Sequence, residues 1–125
     1  MTRESESPFD VLRRLFHEPS RLAIMSALCA ADDELSFKEL KETCRLTDGN
    51  LNRHLKTLQD AGMIRVRKAF VRDKPRTSVS ISPDGLTRFT EYLGALETVL
   101  RRAQDALGAG KKADAAPPFA KPVRA

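Results

Sequence analysis

The sequence predicts a mainly α fold with a small β-hairpin, of the α+β class. Three observations carry that expectation. Apolar residues recur at helical spacing up to residue 58 and again from residue 86, while strand-like alternation is confined to residues 63–81. Each change of pattern coincides with a capping residue, a proline or a glycine. The chain has 125 residues, enough for one core-bearing domain and an appendage but not for two full domains.

Pro8 opens a first amphipathic helix whose apolar stripe is Phe9, Leu12, Leu15 and Phe16. Glu18-Pro19 restarts the chain, because proline suits the first turn of a helix, where its missing N–H has no partner to lose. In the second helix Leu22, Ala23, Ile24, Ala27, Leu28 and Cys29 cover much of the circumference, which predicts a central, largely buried element. Asp32-Asp33-Glu34 is a polar break. Ser36 and Glu39 then form a capping-box pair that starts a third helix, with Leu40 and Cys44 on its buried side.

Thr47 caps a fourth helix, residues 47–61, with Leu51, Leu55 and Leu58 as a single narrow stripe. At about 100° per residue, Arg53, Lys56 and Asp60 project away from that stripe, with Asn50 and Thr57 flanking them. His54 borders the stripe and reads as a packed or capping side chain. Gly62 ends the helix. Ile64, Val66, Lys68 and Phe70 alternate with Met63, Arg65, Arg67 and Ala69, the period of a strand, and Val79 and Ile81 give the buried side of its return. The loop between them is expected at Arg72 to Arg76, stiffened by Pro75.

Ser82-Pro83-Asp84 combines a cap, a first-turn proline and an acid at the positive helix end. Leu86, Phe89, Leu93, Leu96, Leu100, Ala103 and Leu107 follow at alternating spacings of three and four, a heptad seam over residues 83–107 that predicts a long dimerisation helix. A helix of that length runs about 37 Å, more than so small a core covers. Gly108-Ala109-Gly110 is expected to stop it, leaving residues 108–125 as a disordered Ala/Pro/Lys-rich tail to match a disordered N-terminus at 1–7. The domain proper is residues 8–82.

Charge distribution points to a partner. Between Arg65 and Arg76 lie Arg65, Arg67, Lys68, Arg72, Lys74 and Arg76 against Asp73 alone, a net +5 equal to the formal charge of the whole chain. A surplus concentrated beside one polar-faced helix suits a polyanion. Membrane binding is not expected, since it needs an exposed apolar face and the leucine stripe is used by the core. The run Leu22 to Ala31 is broken by Ser26 and far too short to span a bilayer, and Met1 to Pro8 has no apolar signal segment, so the expected location is the cytoplasm. Aromatic content is 6% with no Trp, which disfavours a base-stacking platform.

The order helix, helix, capped helix, helix, basic hairpin, long helix is that of a winged helix-turn-helix. The segment His17 to Met25 resembles the second-helix signature of ArsR- and MarR-like bacterial regulators, and Leu46 to Gly62 resembles their recognition helix. Lys74-Pro75-Arg76-Thr77 and Ser82-Pro83-Asp84-Gly85 are similar to their wing and final-helix start, so the likeness covers about residues 9 to 107. The resemblance implies a homodimeric regulator of transcription on double-stranded DNA, with repression by occlusion of polymerase as the default and an inverted-repeat operator. Asn50 and Arg53 are the base-reading candidates, since asparagine pairs with adenine and arginine with guanine. Thr47, Gly49, Lys56 and Thr57 are candidates for backbone contact, and Arg72, Lys74 and Arg76 of the wing, residues 71–77, for a phosphate run or the minor groove.

No cofactor, metal site or catalytic motif is expected. Cys29, Cys44, His17 and His54 show no metal-ligand spacing, and both thiols fit buried helix positions with no evident redox role. The sequence leaves room for a small-molecule effector of unknown identity in a cleft near Phe9, Phe16, Phe89 and Tyr92, but four aromatics in such positions are more often core than pocket. The competing function is a winged-helix protein–protein interaction module with an incidental basic wing and no specific DNA target.

Overall fold

The computed structural model describes residues 8–111, and of these the side chains of 10–108. The expectations for residues 1–7, for the tail beyond residue 111 and for the side chain of Phe9 lie outside the described residues. Five helices and a small sheet follow in the order α1 (Pro8–Phe16), α2 (Pro19–Ala30), β1 (Leu35–Ser36), α3 (Phe37–Cys44), α4 (Asp48–Asp60), β2 (Ile64–Val71), β3 (Lys74–Ile81) and α5 (Pro83–Lys111). The chain divides into a first unit through Tyr92 and a second from Leu93.

Local chemistry sets the helix ends. Glu18 caps α2 by accepting the Arg21 N–H at 2.9 Å, with Pro19 at the first turn. Ser36 and Glu39 make the reciprocal capping box of α3 at 3.0 and 2.8 Å. Thr47 accepts the Asn50 N–H at 3.2 Å to start α4. The far end of α4 closes by donation from Gly62 N–H to the Gln59 carbonyl and from Met63 N–H to the Leu58 carbonyl. That paired arrangement requires a left-handed residue, and Gly62 supplies it with φ of 81°.

The sheet has three strands in the order β1-β3-β2, not the bare hairpin expected. Leu35 and Ser36 pair antiparallel with Val79 and Ser78. The wing turn is also tighter than its sequence suggests. Val71 faces Lys74 across two residues, Arg72 and Asp73, with φ of 54° and 65°, as a type I′ turn demands. Lys74, Pro75 and Arg76 are therefore strand residues. Pro75 lies opposite Phe70, next to the pair that closes the turn, where the missing N–H points away from β2.

The core is built from Phe16, Ile24, Met25, Leu40, Leu51, Leu58 and Val79, all fully buried. α2 buries Ile24, Met25 and Leu28 on one side and leaves Ala23 and Cys29 exposed, so it is less enclosed than its composition implies. Cys29 is therefore not a buried thiol, and Cys44 is only half-buried; partial burial raises the pKa of both.

Phe89 does not belong to the seam expected on α5. It is 1% exposed and packs edge-on against Phe16, with ring centroids 5.1 Å apart, and beside Tyr92 at 6.1 Å. Phe16, Phe89 and Tyr92 thus pack together as core, the reading their sequence pattern favours over a cleft. Tyr92 satisfies its hydroxyl on His17 Nδ1 at 2.7 Å. α5 also runs past Gly108 to Lys111. Glycine inside a helix costs only about 1 kcal/mol relative to alanine, which weakens a helix without ending it.

Candidate nucleic-acid interface

α4 presents two chemically distinct sides. Leu51, His54, Leu55 and Leu58 are buried, while Asn50, Asn52, Arg53, Lys56 and Gln59 are exposed. The two base-reading candidates are held as a pair: Arg53 Nη2 donates to Asn50 Oδ1 at 2.8 Å. Thr47 is occupied as the helix cap, and the half-buried Thr57 donates its hydroxyl to the Arg53 carbonyl at 3.1 Å. Lys56 lies 3.5 Å from Asp60, a surface pair that a stronger anion can displace. A Cβ at Gly49 would meet open space, so nothing inside the protein requires glycine there.

The wing is open to solvent along its length. Arg65, Arg67, Lys68, Arg72, Lys74 and Arg76 are all exposed. Arg67 is tied to Glu34 at 2.6 Å, which fastens β2 to the segment before β1. Arg76 acts on Glu39, whose carboxyl lies below the usual range chiefly through its hydrogen bonds to Ser36. Among the described residues, Arg65, Lys68, Arg72 and Lys74 make no ion pair.

Asn52 and Gln59 were not singled out by sequence reasoning, yet both line a cleft of about 350 Å³ with Lys56, Lys68 and Thr77. Their signal is the i, i+4 spacing from Asn52 to Lys56, which places them on one side of the helix. The exposed side of α4 and one face of the wing therefore share a single open channel.

The buried side of α4 is anchored by a polar cluster. Arg21 Nη1 lies 3.3 Å from His54 Nδ1, and its Nε donates to the Leu15 carbonyl at 2.7 Å. Glu18 Oε1 is 3.9 Å from His54 Nε2. A guanidinium facing Nδ1 requires that nitrogen to accept, so the ring is neutral with its proton on Nε2. Burial pushes the His54 imidazole below the ordinary range, and Arg53 and Arg21 add to this against the pull of Glu18.

The pH consequence follows from linkage. The unfolded chain takes up the His54 proton near the ordinary value of about 6.5, whereas the folded chain resists it to lower pH. The stability contribution is complete above that value and declines as pH falls toward the depressed folded value. In urea titrations the wild-type midpoint is expected to fall from pH 7.5 to 5.5 by more than that of His54→Gln. Equal losses in the two proteins would show that His54 stays uncoupled from folding.

No helix among the described residues is long and apolar enough to cross a membrane. Among the same residues no group of three or more His, Cys, Asp or Glu side chains is placed to hold a metal ion.

Relatives agree with this architecture. The chain is 37% identical over 83 residues to the uncharacterized HTH-type transcriptional regulator YceK of Bacillus subtilis, covering 66% of this chain and 76% of that protein. It is 31% identical over 80 residues to an uncharacterized protein of Methanocaldococcus jannaschii, covering 64% of this chain and 86% of that one. A solved transcriptional regulator homologue from Pyrococcus horikoshii OT3 superposes with a TM-score of 0.67 at 29% identity, over 72% of this chain and 88% of that structure. Solved regulators of the MarR and ArsR families share the fold. The winged helix DNA-binding domain family matches residues 20–100. With its capped α4, three-stranded sheet and basic wing, the chain belongs to that family, the winged-helix transcriptional regulators.

Proposed function

We propose that this chain is a homodimeric, sequence-specific reader of double-stranded DNA that represses transcription from an inverted-repeat operator. The observation that carries this reading is the exposed Asn50–Arg53 pair on α4, whose opposite side is locked into the core. Side chains that specify bases must be held by a rigid element, and a helix with one buried stripe is such an element. Asn50 and Arg53 read base edges in the major groove. Arg72, Lys74 and Arg76 hold the flanking backbone or minor groove. Gly49 lets the start of α4 approach a phosphate closely, and Thr47, Lys56 and Thr57 are the other candidates for backbone contact along the helix.

Dimerisation through α5 doubles the reader. Two recognition helices related by a two-fold axis would engage half-sites about 34 Å apart. Occupancy within a promoter then blocks polymerase.

Selection of bound duplexes from a random pool, followed by titration across salt concentrations, tests the reading. Log affinity is expected to fall with log salt at roughly −0.9 per phosphate contact. Arg53→Ala is expected to cost about 1–3 kcal/mol and to relax preference at one base position, while Lys74→Ala weakens all duplexes alike and lowers the salt slope by about one. Binding indifferent to salt and to both substitutions would reject the proposal in favour of a protein-binding module.

A further inference from the structure

Among the described residues, Phe70 is the most exposed of the large apolar side chains, at 76%. A lone exposed apolar residue is ordinary on a protein surface. Its setting is what matters here. Phe70 lies two residues before the wing turn, opposite Pro75, with Lys68 on the same face, Arg72 in the turn, and Lys74 and Arg76 beside Pro75 on β3. Strand alternation places Val66, Lys68 and Phe70, with Thr77 and Pro75 across from the latter two, on one sheet face. Val66, Lys68 and Thr77 line the cleft shared with the exposed side of α4. The ring thus continues the face that the recognition helix looks onto, beyond the reach of the core.

We infer that Phe70 is a sugar-reading residue that seats its ring against the deoxyribose wall of the minor groove, and this rests on the DNA-reading function proposed above. Charge selects the occupant. β2 is an edge strand, but Arg65, Arg67 and Lys68 along it repel a second copy of the same strand. A duplex instead brings phosphates to the cations and, between them, the apolar carbons of its sugars to the ring. The two-stranded wing is too broad to enter a groove about 6 Å wide, so side chains near its tip make the contact. Deoxyribose offers carbon where ribose carries a 2′-hydroxyl, and burying that hydroxyl against an aromatic face is unfavourable. The wing thereby selects DNA through packing, with the cations holding it in place.

The test uses the full chain and a duplex obtained by selection with the wild type. Phe70→Ala is expected to weaken binding about tenfold while leaving the salt slope and the thermal midpoint unchanged, because the ring contributes apolar contact alone. Single ribonucleotides are then scanned through the flanks of the duplex. The wild type is expected to lose affinity at one or two steps, and Phe70→Ala to lose none there. Unchanged affinity of Phe70→Ala, or the same ribonucleotide penalty in both proteins, overturns the sugar-reading role while the DNA-reading function stands. A change in association state would instead show that the face binds a second copy, which also overturns it. A wild type that enriches no duplex removes the underlying function and this role together.

Discussion

Gly85→Ala is expected to lower the free energy of unfolding by about 3 kcal/mol, the upper range for forcing an extra methyl group into a filled space. Two hydrogen bonds pin the start of α5 to the residues that follow α4, and a third caps its first turn. Ser82 N–H donates to the Met63 carbonyl at 3.1 Å, Ser82 Oγ donates to the Gly62 carbonyl at 2.7 Å, and Gly85 N–H donates to Ser82 Oγ at 2.8 Å. These bonds draw the helix so close that a Cβ on Gly85 would overlap the Met63 carbonyl oxygen and lie 2.8 Å from its carbon. The obstacle is backbone, which cannot turn aside as a side chain could. Urea unfolding measures the effect as a lowered midpoint with an unchanged slope. Gly94→Ala is the control, since its Cβ would meet open space within the same helix. It is expected to stabilise by roughly 0.5–1 kcal/mol through reduced chain entropy. A Gly85→Ala protein with the wild-type midpoint would show that the two segments are not in such close approach.

Leu100→Asp is expected to weaken self-association by at least about 100-fold and to remove operator binding with it. Leu93, Leu100 and Leu107 are 41%, 49% and 43% exposed and recur at a spacing of seven along α5. An aspartate in the middle of that seam would bury a charge twice in each symmetric dimer, a cost of several kcal/mol. Leu100 is exposed, so α4 and the wing are expected to keep their fold. Sedimentation equilibrium gives the association constant, and circular dichroism and duplex titration give the other two readouts. Monomeric wild type, or a variant that still dimerises, would remove α5 from the proposed interface. Loss of dimers with full operator affinity would show that a single copy suffices for recognition.

Local rules were legible residue by residue. Ser36 with Glu39, Pro19 after Glu18, Thr47 and Ser82-Pro83 each mark a helix start because the caps depend on neighbouring backbone donors alone. Gly62 marks a stop for the same reason. The two sides of α4 followed from its period, and the basic wing was visible as composition. β1 escaped notice because a strand of two residues has no period to detect, and its partner Val79 lies 44 positions away from Leu35. Likewise, Pro75 suggests a loop until the register shows its missing donor on the open side of β3.

Sequence by itself determined which segments are helical, where they begin, and which helix carries polar side chains beside a block of positive charge. Those properties come from interactions within a few residues. Tertiary structure decided how the apolar residues were divided among neighbours. It sent Phe89 into the core against Phe16 and left Leu93 and Leu100 on the surface, although all three fit one heptad pattern. It left Cys29 in solvent, tied Asn50 to Arg53, and required glycine at position 85. The physical reason is common to these cases. Periodicity states that a side needs covering, but which atoms arrive to cover it depends on segments distant in the chain.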